Sequence, residues 1–198
     1  MDVTWATPLY EFLRHCNASP LAREVLDCGA GGTRPPLSLF YQYGYKTCGL
    51  EIACEALAEA AGFCRQNDLP LNVLRGDMRR IPFPSGAFSF VYSYNAIFFM
   101  TKPDIALALR DMERVLRRRG LVYVNFMSVD DPDWDPFCET APAKALLRSE
   151  RFAHHGDNEA DAYFAHFEIL RKEKRLIDKV YGKKRIKQAY VEYIAEKR

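Results

Sequence analysis

The stretch that decides the fold is Val25-Leu26-Asp27-Cys28-Gly29-Ala30-Gly31-Gly32, in which an apolar run ends in closely spaced glycines. Short apolar runs of this kind form buried strands. Glycine adopts backbone angles that are closed to other residues, and it leaves no side chain between the backbone and a ligand. Pro35 and Pro36 then open a helical segment that Gly44 can end. The stretch predicts a strand, a tight turn that a ligand can approach, and a helix.

The alternation of strands and helices continues toward the C-terminus. Short connections between such elements imply parallel strands joined by right-handed crossovers, with helices on both faces of one sheet. The fold class predicted is therefore α/β, a doubly wound, mostly parallel seven-stranded sheet that closes with an antiparallel hairpin. The predicted strands are residues 45–51, 71–75, 88–94, 121–126, 167–180 and 186–194, and the predicted helices are residues 53–67, 102–119 and 158–164.

Size and composition indicate an ordinary globular protein. The chain has 198 residues, 48% of them hydrophobic and 27% charged, with a formal net charge of +2. We expect a single domain over residues 1–198, made of an N-terminal helix (1–20), the sheet, an irregular segment (128–165) and the hairpin (166–198). Because neither a signal peptide nor a membrane-spanning run is visible, we expect a cytoplasmic protein without a membrane partner.

Cysteines and histidines give little sign of a metal site. The six cysteines form no C-x-x-C pair, so we interpret them as reduced thiols, several of which lie in apolar stretches as small core residues. His154, His155 and Asp157 are the nearest approach to a ligand cluster. We favour a solvated turn there and expect no metal.

An acidic residue follows the second strand. In open α/β sheets, ligands bind beyond the carboxyl ends of the strands, and an acid about 20 residues past the glycines accepts hydrogen bonds from ribose hydroxyls. Glu51 stands at that distance. A nicotinamide-binding turn has the pattern G-x-G-x-x-G, and Arg34 occupies the place of its third glycine. The sequence therefore predicts a nucleoside site, with a dinucleotide as the weaker alternative.

Together these motifs resemble the class I S-adenosylmethionine (SAM)-dependent methyltransferases, in which a D/E-x-G-x-G-x-G turn ends the first strand. The resemblance is to a small, single-domain, methyltransferase type 11-like chain. Thr33 replaces the last glycine, and Phe98-Phe99 stand where histidines are often found. The matching segments, in order through residues 25–126, are Asp27-Cys28-Gly29-Ala30-Gly31-Gly32, Gly49-Leu50-Glu51-Ile52, Gly76-Asp77-Met78, Phe88-Ser89-Phe90-Val91 and Val115-Leu116-Arg117-Arg118-Arg119-Gly120.

The resemblance implies SAM as cofactor, S-adenosylhomocysteine as product, and a set of binding residues. Gly29 and Gly31 would approach the methionine part, Glu51 the ribose hydroxyls, and Asp77 with Met78 the adenine. Tyr94 would face the sulfonium. The full set of cofactor residues is Asp27, Gly29, Ala30, Gly31, Glu51, Ile52, Asp77, Met78, Tyr94 and Asn95, and the acceptor candidates are Tyr10, Phe98 and Asn125. No general base is identified, so no catalytic residue is assigned.

We expect a small-molecule acceptor, because the short chain has few residues beyond the core fold with which to recognise a large protein or a long nucleic acid. From Arg171 onward eleven Lys and Arg face four acidic residues, which makes an RNA-modifying enzyme one alternative. Protection of an exposed sheet edge is the explanation we favour for that charge.

A non-catalytic SAM-binding module is the other alternative to a small-molecule methyltransferase. Residues 130–139, with Trp134 and Phe137, are either a lid that favours a cationic acceptor or, as we prefer, a solvated loop.

Overall fold

The glycine-rich turn lies at the carboxyl end of a central strand in one large sheet. The structure is a computed structural model that describes residues 7–132, 153–182 and 184–198. Within those ranges the strands are β1 (Glu24–Cys28), β2 (Lys46–Glu51), β3 (Val73–Arg75), β4 (Phe88–Ser93), β5 (Leu116–Ser128), β6 (His154–His155), β7 (Phe167–Tyr181) and β8 (Lys184–Lys197). The α-helices are α1 (Thr7–Ala18), α2 (Leu37–Gln42), α3 (Cys54–Asn67) and α4 (Lys102–Val115), and 3₁₀ turns span Ile97–Phe99 and Glu159–Phe164.

Seven strands form a continuous sheet in the order β3-β2-β1-β4-β5-β8-β7. β1 to β5 pair in parallel, whereas β8 runs antiparallel to both β5 and β7. The predicted doubly wound, mostly parallel sheet with a closing antiparallel hairpin is thus confirmed. The sequence did not predict the two-residue strand β6, which pairs with β5.

Helices cover the sheet on both faces, and each face has its own apolar core. On one face α1 and α2 bring Phe12 and Phe40 against Tyr92 of β4, with the Phe40 and Tyr92 rings stacked 5.1 Å apart. On the other face α4 packs Ile105 and Met112 against the sheet. The side chains of both cores are mainly aliphatic or aromatic, and burial of each such side chain contributes about 1.5–3 kcal/mol.

The junction between α4 and β5 differs from the prediction, which continued the helix to Arg119. The helix ends at Val115 because Lys197 Nζ, from β8, donates hydrogen bonds to the carbonyl oxygens of Glu113 (2.6 Å) and Leu116 (2.8 Å). Arg119 then adopts a left-handed φ of 61°. Gly120 therefore does not cap the helix. It lets β5 pass close to β4, since a Cβ there would lie 2.7 Å from the Ser89 carbonyl oxygen.

The start of the third strand was also predicted wrongly. The strand begins at Val73 rather than at residue 71, because Asn72 takes a left-handed φ of 57° and its side chain binds the Thr47 carbonyl oxygen. The helix predicted at residues 158–164 is present as a 3₁₀ helix over Glu159–Phe164.

The described cysteines, Cys16, Cys28, Cys48, Cys54 and Cys64, are free thiols, as the sequence predicted. Among the helices of the described ranges, none has the length and apolar character needed to cross a membrane.

Candidate functional site

Glu51 joins the glycine turn to the end of β2 and the start of α3. Its Oε2 accepts a hydrogen bond from Gly31 N at 3.0 Å, and its Oε1 accepts one from Ala53 N at 2.8 Å. A carboxylate oxygen has two acceptor sites, so each oxygen keeps one for a further donor. Gly31 is required for this contact, because a Cβ there would lie 2.5 Å from Glu51 Oε2 and 2.6 Å from the Ala56 Cβ.

The glycine turn after β1 contacts the turn after β4 on one side and β2 on the other. Gly29 has a φ of 103°, and a Cβ on it would lie only 2.2 Å from the Cβ of Ala96, so the turn after β1 touches the turn after β4. Ala30 is fully buried and donates its N–H to the Leu50 carbonyl oxygen at 3.0 Å. Thr33, the departure from the family pattern, is exposed beyond these contacts. The substitution therefore leaves the packed part of the turn unchanged.

Asp27 lies beneath the turn with 1% of its surface exposed. Neither carboxyl oxygen forms a hydrogen bond of normal geometry with any described residue. Burial raises the pKa of Asp27 to about 8, which the nearby Tyr92 hydroxyl opposes and the charge of Glu51 reinforces. Near neutral pH the Asp27 carboxyl is therefore largely protonated, and it can donate as well as accept a hydrogen bond.

Three of the predicted cofactor residues follow β2 and β3. Ile52 leaves 58% of its surface exposed directly after Glu51. The Met78 methyl group lies 3.7 Å from the place where a Cβ on Gly29 would be. Asp77 is bound by Arg79, whose Nη2 lies 2.7 Å from Asp77 Oδ2 and holds the pKa of that carboxyl below its usual value. Asp77 thus keeps its charge but already has a strong partner.

The turn after β4 is fixed by a pair of asparagines. Asn95 has a left-handed φ of 54°, and its backbone N–H donates to Asn125 Oδ1 at 2.8 Å. Asn125 Nδ2 donates to Asn95 Oδ1 at 2.7 Å. The Asn125 side chain is fully buried and both its amide atoms are used, so this residue positions Asn95. Tyr94, half-buried, directs its hydroxyl to the side chains of Asn95 and Arg175, and burial raises its pKa.

Two of the acceptor candidates lie apart from one another. Tyr10 is on α1 with 37% of its surface exposed. Phe98 is buried in the 3₁₀ turn after β4, where its ring lies 5.9 Å from that of Tyr190. The predicted acceptor residues thus lie on different elements, whereas the predicted cofactor residues lie at the carboxyl ends of neighbouring strands.

Sequence reasoning missed a cavity of about 110 Å³ between the start of α1 and the strands β5, β7 and β8. Glu192, Arg175 and Tyr123 lie in its wall. The sequence contained a signal for Glu192, because Tyr190, Glu192 and Ile194 alternate along β8 and so share a face with two apolar, inward residues. A carboxylate at an inward strand position is a candidate functional group.

The solvated turn expected at His154 and His155 is wrong, since both are buried in β6. His155 packs 4.8 Å from the Phe126 ring and its Nε2 lies 3.3 Å from the Tyr163 hydroxyl, while burial lowers its pKa to about 4. Asp157 turns away to an ion pair with Lys174. Within the described ranges, no three His, Cys, Asp or Glu side chains are grouped to hold a metal ion.

The acidic segment after β5 is described only in part. Asp131 is buried and its Oδ2 accepts a hydrogen bond from Ala189 N at 3.0 Å, and Asp130 forms an ion pair with Lys174. These two acids therefore attach the segment to the hairpin. The remainder of the predicted loop, with Trp134 and Phe137, lies outside the described residues.

A glycine turn bound to a carboxylate at the next strand, at the carboxyl edge of a parallel sheet, defines a nucleoside-binding α/β protein. The sequence of residues 26–124 matches the family profile described as a methyltransferase domain. The chain belongs to the class I SAM-dependent methyltransferase family: it is a SAM-dependent methyltransferase, and SAM is its cofactor. Among proteins of curated function, none matches this sequence.

Solved structures share the fold at low sequence identity. A SAM-dependent methyltransferase from Methanosarcina mazei is 16% identical with a TM-score of 0.72, over 98% of this chain and 99% of that one. One from Thermotoga maritima is 17% identical with a TM-score of 0.63, over 96% and 89%. A protein of echinomycin biosynthesis, whose structure concerns conversion of a disulfide bond into a thioacetal group, is 15% identical with a TM-score of 0.74, over 99% and 84%.

Substitution of Gly31 by alanine tests the contact between the turn and Glu51. We expect Gly31→Ala to weaken SAM binding at least about tenfold, because the added methyl group must displace the carboxylate, and to cost about 1–3 kcal/mol of unfolding free energy. Calorimetry and urea unfolding measure the two effects. Gly62→Ala, in the open interior of α3, is the control: we expect unchanged affinity and a gain of up to about 1 kcal/mol. Unchanged affinity in Gly31→Ala would contradict the packing described.

The buried Asp27 predicts a specific pH dependence of stability. Its pKa is raised on folding, so the native state retains a proton that the unfolded state has lost, and unfolding free energy falls as pH rises toward the folded pKa. The contribution is at most about 1.4 kcal/mol per pH unit between about pH 5 and pH 8. Asp27→Asn, neutral at every pH, should gain stability relative to the parent across that window. Urea unfolding at about pH 5 and about pH 8 measures the effect. If the difference in unfolding free energy between Asp27→Asn and the parent is the same at both pH values, Asp27 does not have a raised pKa.

Proposed function

We propose that this methyltransferase transfers the methyl group to a small-molecule acceptor, with SAM bound across the turn after β1 and its ribose held by Glu51. The observation that carries the proposal is the Glu51 carboxylate, fixed by two backbone N–H groups and left with acceptor sites for two vicinal hydroxyls. When bound, SAM supplies a methyl group already activated by its sulfonium. The protein must then hold the nucleophile in line and, where the nucleophile carries a proton, accept it.

The neighbouring residues suit the remaining parts of SAM. Gly29 leaves the backbone of the turn open to the methionine part, beneath which the neutral Asp27 adds no full charge. The exposed side chain of Ile52 offers an apolar surface for adenine, and Met78 offers another close to Gly29. Asp77 would contribute an acceptor at the adenine edge while it remains paired with Arg79. Asn95, held by Asn125, would face the reacting end.

The charge of the hairpin supports a small acceptor over RNA. Much of the basic charge on β7 and β8 is already paired with carboxylates of the same chain, and β7 is an edge strand of the sheet. Charged edge strands prevent pairing with other sheets. The pairs with separations under 3 Å are Arg171 with Glu11 and Glu173, Lys172 with Asp161, Lys174 with Asp130 and Asp157, Arg175 with Glu192, and Arg185 with Asp178.

Calorimetry with SAM and with S-adenosylhomocysteine tests the cofactor site. We expect both to bind the parent, and we expect Glu51→Gln to bind SAM about tenfold to a hundredfold more weakly, because a charged acceptor contributes about 1.5–3 kcal/mol. Glu55→Gln, an exposed acid in the first turn of α3, is the matched control and should bind like the parent. If the parent binds neither compound, the proposed function fails.

The acceptor class is tested by product formation. Release of S-adenosylhomocysteine would be measured with neutral alcohols and phenols, amines, carboxylic acids and thiols. Turnover with one small-molecule class supports the proposal. Cofactor binding without turnover of any class would favour the non-catalytic module, and retention on RNA that weakens with added salt would favour the RNA enzyme.

A further inference from the structure

The cavity beside α1 has an aromatic and apolar wall with unmatched polar atoms in it. Pro8 and Ile194 supply apolar surface, and the Tyr123 side chain supplies aromatic surface. Its volume of about 110 Å³ is smaller than the engineered protein cavity of about 150 Å³ that holds benzene, so it suits a ligand of at most about one aromatic ring. The cavity is therefore small but of ligand size.

Two of the side chains in that wall are deeply buried and have unused hydrogen-bonding capacity. Tyr123 is 1% exposed, and its hydroxyl has no hydrogen-bond partner among the described residues. Glu192 is 5% exposed, and its Oε1 lies 2.6 Å from Arg175 Nη2 in an ion pair that lacks the alignment of a hydrogen bond. Arg175 Nε is likewise without an acceptor in the described ranges. Buried polar groups left unmatched cost about 1–3 kcal/mol each, which a bound ligand can recover.

The charges around the cavity favour a neutral ligand. Glu192 already faces the Arg175 guanidinium, which repels an ammonium group placed beside the same carboxylate. An anionic ligand would meet three carboxylates in the wall, while the two guanidinium groups there, Arg171 and Arg175, are already paired with those carboxylates. The charged and titratable groups that face Glu192 are Arg171, Glu173 and Arg175 on β7, Tyr190 on β8, Tyr123 on β5 and Tyr94 after β4, and Glu11 of α1 lies in the same cavity wall. A hydroxyl group, by contrast, can donate to Glu192 and accept from Arg175 Nε.

Tyr94 connects this cavity to the turn after β4. Its ring lies 6.3 Å from that of Tyr123, and its hydroxyl interacts with both Arg175, in the cavity wall, and Asn95, in the turn. Glu192 is paired in register with Asn125, the residue that holds Asn95. The cavity and the turn after β4, where the reacting end of the proposed cofactor site lies, are thus linked through Tyr94 and through the paired residues Asn125 of β5 and Glu192 of β8.

We propose that this cavity binds the methyl acceptor, a neutral hydroxyl compound of about one ring in size such as a phenol, and that Glu192 is its general base. The inference rests on the proposed function. The acceptor O–H bond breaks and its proton passes to Glu192. The oxygen electron pair forms the O–CH₃ bond, and the electron pair of the broken C–S bond stays on sulfur, which becomes a neutral thioether. Arg175 and the Tyr123 hydroxyl orient the acceptor oxygen.

The electrostatics of Glu192 suit that role. Burial raises the pKa of the Glu192 carboxyl, and the Arg175 guanidinium partly offsets that rise. A carboxylate with a raised pKa is a stronger base than an exposed one, yet Arg175 keeps the ionised form accessible.

Binding of three probes of one ring size tests the ligand class without any turnover. Phenol, benzylammonium and benzoate would each be titrated by saturation-transfer NMR into the protein loaded with S-adenosylhomocysteine. We expect phenol to bind at least about tenfold more tightly than either ion, a difference of about 1.4 kcal/mol. Preferential binding of benzylammonium or benzoate, or failure of all three to bind, would overturn the proposal.

Glu192→Gln tests the base. We expect its SAM affinity to stay within about twofold of the parent, while methyl transfer to phenol falls at least about a hundredfold and the acid limb of the pH–rate profile disappears. Glu196→Gln is the matched control, because Glu196 lies on the same face of β8 and is also paired with an arginine, Arg119. It should behave like the parent. Parent-like turnover in Glu192→Gln would exclude the residue as base.

Tyr123→Phe is a second variant, which tests the ligand site even if Glu192→Gln does not fold. It removes only the unmatched hydroxyl, so we expect normal folding and SAM affinity with phenol binding weakened about fivefold to tenfold. Unchanged phenol binding would overturn the proposal. Failure of the parent to bind SAM is a separate result that refutes the proposed function. The two failures are distinguishable, because binding of SAM and binding of phenol are measured separately.

Discussion

The rest of the site depends on the two hydrogen bonds from Gly31 N and Ala53 N to the Glu51 carboxylate. They join the turn after β1, the end of β2 and the start of α3, three segments that are separate along the chain. The contact requires a glycine at position 31, because any side chain would occupy the place of the carboxylate. One steric constraint thus fixes both the path of the turn and the position of the acid.

Local sequence predicted most of the fold because the strands and helices here carry their own signals. The turn glycines, the helical spacing in α1 and the apolar runs of β1, β4 and β5 are all read from neighbouring residues. The end of α4 could not be read this way, since it depends on Lys197, which lies more than eighty residues away from Glu113. Long-range contacts of this kind leave no trace in the local pattern.

The same contrast between local signals and long-range contacts applies to the residues of the candidate site. The residues proposed to bind the cofactor could be chosen from the sequence, because the glycines, Glu51 and Asp77 lie at or just beyond the ends of strands that the sequence reveals. Glu192 was counted with the charged residues of the hairpin, although only register with β5 and the cover of α1 make it buried. Asn125 was named as a contact for the acceptor, whereas its amide is consumed in holding Asn95. Burial and pairing, which decide both roles, are properties of the assembled sheet.

The position of β8 between β5 and β7 has a consequence for folding. The sheet depends on two pairings between strands that are distant along the chain: Val25 of β1 lies opposite Phe90 of β4, and Val124 of β5 lies opposite Tyr193 of β8. Both pairings close long loops of similar length, so each carries a comparable entropic cost. The half of the sheet that contains Glu51 depends on the first pairing, and the cavity wall that contains Glu192 is complete only when the hairpin has docked on β5.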